Sequence, residues 1–140
     1  MTMALHVGVL RPTNMWSSGD GPAWIDMVRE RLEAVVEDTR EPGWDGSGAP
    51  PVSQLAVEVA LAVLEESMSD DTIPPNFVPT NDGGLQLEWH ANGIDVEVYI
   101  EPSGAVSAWG REGSREWETD WFSPARLEKE LTQLTRPLAR

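Results

Sequence analysis

The chain has 140 residues, with 24 acidic and 10 basic side chains, a formal charge of −14 and no cysteine. That length holds one domain with its own core but not two. The acid excess argues against direct nucleic-acid binding or docking on an anionic membrane, since both need Lys and Arg near phosphate. Without thiols there are no disulfides, Fe–S clusters, thiol catalysis or cysteine-ligated zinc.

Residues 1–21 place Leu5, Val7 and Val9 in alternation and then break at Pro12, so we expect a loosely held arm. This stretch lacks the charged start and long apolar run of a signal peptide or a membrane span, and a cytoplasmic domain is expected. Residues 22–140 are expected to form a single α+β domain. Its first helix is predicted over 22–39, capped by Asp20 or Gly21, with Pro22 in an early position and Ile25, Val28, Leu32, Val35 and Val36 facing inward. Pro42 and Gly43 stop it.

A glycine- and proline-rich connector follows, Trp44-Asp45-Gly46-Ser47-Gly48-Ala49-Pro50-Pro51. Ser53 is the expected cap of a second helix over about 55–68. Its two apolar rows predict burial on two sides: Val57, Leu61, Leu64 and Met68, then Ala56, Val59, Ala60 and Val63. Glu65 and Glu66 near its end, with Asp70 and Asp71 just beyond, are disfavoured by the helix dipole and mark a possible contact for a basic group.

From Asn76 the apolar period becomes two. A short strand over 77–80 holds Pro79, which cannot donate to a ladder and belongs on an edge. Asn81-Asp82-Gly83-Gly84 makes a turn. Asn92-Gly93 is a strong hairpin signal and sets Trp89 opposite Val96, Leu87 opposite Val98 and Leu85 opposite Ile100. Pro102-Ser103-Gly104 suits a three-residue hairpin, and strands are predicted over 105–110 and 115–122. Ser123-Pro124 begins a last helix with Leu127, Leu131 and Leu134 on one face. The expected fold is therefore an antiparallel four- to five-stranded meander, with one face covered by two N-terminal helices and one C-terminal helix.

The same register puts His90 opposite Asp95, Gln86 opposite Tyr99 and Glu88 opposite Glu97 on the other face, with Trp109 beside Glu97 and with Glu116 and Glu118 expected alongside. Like charges directly opposite are destabilising. No Lys or Arg occurs between Arg40 and Arg111, while that stretch holds twelve carboxylates. Arg111 and Arg115 are the groups that could neutralise the face. Of the seven tryptophans, Trp89 and Trp117 fall on the inward register.

His90, Asp95 and Ser107 could be dressed as a hydrolase triad. A flat strand supplies neither the sharp turn nor the oxyanion donors, and no G-x-S-x-G is present. With only His6 and His90 available, an all-histidine or His/Cys zinc site is out. Asp45 and Asp82 are expected to form Asx turns rather than calcium loops. We expect no catalytic residue, cofactor or metal.

The segments W-D-G-S-G-A-P-P-V (44–52) and P-T-N-D-G-G-L-Q-L-E-W (79–89) resemble a group of small bacterial proteins of no assigned activity that share both boxes. The resemblance covers about residues 43–108. It implies that connector and strand form one unit, and no catalytic residue. Trp44 is expected to plug a gap between helix and sheet. The element order is also faintly similar to that of acidic secretion chaperones.

The expected function is that of an acidic, non-enzymatic module of the immunity, antitoxin, inhibitor or chaperone kind. It would hold a basic protein through Glu88, Glu97, Tyr99 and Trp109, with Glu65, Glu66, Asp70 and Asp71 as further contacts. A homodimer is compatible with the sequence. The alternatives are a nucleic-acid mimic, which requires two regular rows of carboxylates, and a small enzyme using Asp45 as a base in a pocket near Trp44.

Overall fold

The computed structural model describes residues 23–91 and 93–119. Two helices, α1 (Ile25–Asp38) and α2 (Gln54–Ser67), precede a five-stranded antiparallel meander. Its strands are β1 (Asn76–Pro79), β2 (Leu85–Ala91), β3 (Ile94–Ile100), β4 (Val106–Glu112) and β5 (Arg115–Thr119), in that spatial order. The expected C-terminal helix and the arm over 1–21 lie outside the described residues.

Helix α1 buries Ile25, Val28, Leu32 and Val35, one stripe at three- and four-residue steps. Val36 lies a step around the helix from Val35 and is 45 % exposed, contrary to expectation. The helix also starts later than predicted: Ala23 and Trp24 form a turn, and Trp24 occupies the cap position without a side-chain hydrogen bond. Its indole is buried instead, so the entry of α1 is fixed by packing. In α2 the expected cap is present, since Ser53 Oγ accepts the Ala56 N–H at 3.0 Å. The residues from Val59 through Leu64 are all buried, which accounts for its two apolar rows.

The sheet register agrees residue for residue with the one read from Asn92-Gly93. Leu85, Leu87, Trp89, Val96, Val98 and Ile100 form the inner face and, with the two helices, the core. Each such aliphatic side chain contributes about 1.5–3 kcal/mol by leaving water. β1 is an edge strand, as Pro79 requires. Trp117 crosses Gly110, its partner on β4, so closely that a Cβ there would lie 2.4 Å from the indole ring. Glycine at that position is what lets the large ring reach the core.

The connector is tied to two turns. Ser53 N–H donates to Gly83 O at 2.8 Å, and Ser53 Oγ donates to Pro102 O at 2.9 Å. Gly83 has φ +90°, and a Cβ on Gly84 would sit 2.6 Å from Ile100 O, so this turn needs both glycines. The two boxes recognised in the sequence therefore meet in space. Trp44 does not plug the helix–sheet gap: it is only half-buried, and its indole donates to Pro50 O at 2.7 Å, closing its own loop. No helix among the described residues is long and apolar enough to cross a membrane.

Candidate acidic sheet face

Both helices pack on one side of the sheet, so alternate residues of each strand point the other way. On that outer face the pairing builds three rows. Glu88, Glu97, Trp109 and Glu118 form one; His90, Asp95, Arg111 and Glu116 the second; Gln86, Tyr99 and Ser107 the third. Among the described residues, five carboxylates (Glu88, Asp95, Glu97, Glu116 and Glu118) thus share the face with one guanidinium, that of Arg111.

Arg111 is committed to the second row. Its Nη2 lies 2.9 Å from Asp95 Oδ2, and its guanidinium stands 5.6 Å from the centre of the Trp109 ring. Arg115, the other candidate for neutralising the face, takes the register of Ile94 and Glu112 on the opposite side and pairs with Glu112 at 3.7 Å. Among the described residues no arginine pairs with Glu88, Glu97 or Glu118.

Histidine is what the first row has instead. His90 Nδ1 is 2.7 Å from Asp95 Oδ1, while Nε2 lies 3.2 Å from Glu88 Oε1 and 4.0 Å from Glu97 Oε2. The Asp95 hydrogen bond raises the imidazole pKa above its ordinary value, against partial desolvation, and Glu88 adds to the rise. Asp95 is lowered in turn, first by His90 and then by Arg111. Gln86 Nε2 donates to Glu88 Oε2 at 2.6 Å and fixes the other oxygen toward His90. When protonated, His90 offsets the Glu88–Glu97 repulsion.

Beside this group lies a shallow depression of about 180 Å³, lined by Gln86, Glu97, Tyr99, Ser107, Trp109 and Glu118. Its aromatic walls are held in place. The Trp109 indole donates to Glu116 Oε2 at 2.6 Å, and the Tyr99 hydroxyl donates to Asp82, which sits in the β1–β2 turn. Burial, then Asp82, pushes the Tyr99 phenol up to about 12. The structure thus gathers Glu97, Tyr99 and Trp109 around one hollow with Glu88 alongside. Glu118, expected alongside this face, completes the lining from its place opposite Trp109.

The acidic end of α2 is elsewhere. The turn after it is closed by Ser69 and Thr72, and Ile73 O accepts from the inward-facing Trp89 indole at 2.8 Å, so Asp70 and Asp71 lie toward the helix side of the sheet. Glu65, Glu66, Asp70 and Asp71 do not join the outer face. Asp45 accepts the N–H groups of Ser47 and Ala49 at 2.8 and 3.1 Å, and these bonds hold its carboxyl below the usual range. A general base needs the opposite shift. Ser107 stands opposite Tyr99, in the row beyond Trp109 and Glu97 rather than with His90 and Asp95.

No protein-family model, no curated protein and no solved structure matches this chain.

Proposed function

We propose that the chain is a cytoplasmic, non-enzymatic binding module whose outer sheet face takes a basic side chain of a partner protein into the hollow between Tyr99 and Trp109. The observation that carries this reading is the depression itself: two carboxylates, Glu97 and Glu118, and two aromatic rings line it. A guanidinium suits such a lining because it donates to carboxylates in a plane and stacks on an aromatic face. Positioned aromatics with nearby charge are also the residues that dominate protein interfaces.

The mimic reading has less support, because Trp109, Tyr99, Gln86 and Ser107 interrupt any regular row of carboxylates. On the favoured reading Glu65, Glu66, Asp70 and Asp71 form a second acidic surface that steers the partner electrostatically without touching the hollow.

Affinity capture from the native host at low salt, read by mass spectrometry, tests the proposal. The expected result is a basic protein that is released by salt and lost when Glu118→Lys or Glu97→Lys replaces the wild type. Recovery of the same protein by both variants, or retention unaffected by salt, overturns it.

A further inference from the structure

The Glu-Trp-His run of β2 sends Glu88 and His90 to the same face two residues apart, and Glu97 of β3 stands directly opposite Glu88. One ligand atom from each of these three side chains lies within 4.8 Å of the others. The two carboxylate oxygens carry lone pairs and His90 Nε2 offers one once its proton leaves, so a metal cation can replace that proton between them. A tetrahedral zinc ion holds its nitrogen and oxygen ligands at 2.0–2.2 Å, which sets neighbouring ligands about 3.3 Å apart. The His90 Nε2 to Glu88 Oε1 distance is 3.2 Å, and Glu97 Oε2 stands at 4.0 Å on a partly exposed side chain that can close the gap by a torsional change.

The support around the three atoms is also of the kind a metal ligand needs. A metal-bound histidine commonly donates its second ring N–H to a carboxylate, which fixes the tautomer and aims the ligating nitrogen. Here Asp95 accepts at Nδ1 and is itself held by Arg111, leaving Nε2 directed at the two glutamates. Glu88 is oriented through its other oxygen by Gln86. We propose that Glu88, His90 and Glu97 bind one divalent transition-metal ion, with Asp95 as the positioning residue for the imidazole and a fourth position open to solvent. An imidazole with two carboxylates suits zinc better than magnesium or calcium, which prefer all-oxygen shells.

The proposal does not rest on the basic-partner reading, since it concerns the protein alone. The two share Glu97, so an ion and a partner's guanidinium would compete for that carboxylate. Isothermal titration of the full chain with zinc chloride, near neutral pH in a non-chelating buffer, is the test. The expected result is saturable binding of one ion per chain, at least about tenfold weaker in His90→Gln and in Glu97→Gln. It should be unchanged in Glu58→Gln, an exposed acid of α2. Long-range ¹H–¹⁵N spectra should show zinc shifting His90 Nε2 while Nδ1 keeps its proton, with the circular dichroism of all variants unaltered. No saturable binding, or binding that His90→Gln and Glu97→Gln leave intact, overturns the site. Neither result bears on whether a basic protein is captured.

Discussion

Tyr99 is the only tyrosine in the chain, so a phenol titration reads that one group. Ultraviolet absorbance should give a midpoint about 12, against an ordinary value of 10.0, and Asp82→Asn should lower it. A wild-type midpoint near 10 would mean that neither the burial of the ring nor the Asp82 contact persists in solution. Asp82 itself is held below its ordinary 3.8 by Thr80, then Tyr99. A carboxylate lowered on folding stabilises the fold above the unfolded pKa, and that contribution is lost as pH falls through the folded one. Asp82→Asn is therefore expected to be less stable than wild type at neutral pH and to show a shallower acid loss, measured by denaturant unfolding between pH 6 and about pH 2. At this scale the sequence was informative where pairing is local. The His90–Asp95 and Glu88–Glu97 oppositions follow from one turn. The Tyr99–Asp82 bond joins residues 17 apart through the shape of a different turn, and no periodicity signals it.

Secondary elements were legible where two signals coincided. Alternation and Asn92-Gly93 together set the sheet, because a one-residue slip would turn every apolar side chain to the wrong face. Ser53 with an apolar run set α2. The start of α1 was misplaced because its boundary is held by the buried Trp24 ring, a tertiary effect that capping rules do not contain. Trp44 departs from expectation for a local reason: its type favours burial, but the Pro50 carbonyl of its own loop claims its indole. Ser53→Ala removes both the cap of α2 and the bond to Pro102, and should cost about 1–2 kcal/mol in chemical denaturation. A loss near zero would show that neither bond matters. Gly110→Val should displace Trp117 from the sheet and raise its exposure to a fluorescence quencher, since no side chain fits beneath the ring. Leu87→Ala, at a fully buried position, is expected to cost about 2–5 kcal/mol.

At the scale of the molecule, the sheet divides the charge of the described residues. The helix side carries Asp70 and Asp71 near the end of α2, while the outer side gathers five carboxylates, of which one, Asp95, is matched by a described arginine. Composition made the sign of the face legible and the register named most of its residues. The hollow was not legible, because a concavity depends on which side chains stand tall across three strands. At the centre stands the proposed entry of a basic side chain into this hollow. Its most direct test is an NMR titration of the full chain with an arginine-rich peptide at low ionic strength, following the indole N–H of Trp109 and the ring of Tyr99. Saturable shifts are expected at both, weakened as salt shortens the Debye length below about 10 Å and abolished in Glu97→Lys. Shifts confined to residues around Asp70 and Asp71, or the same response in Glu97→Lys, would contradict it.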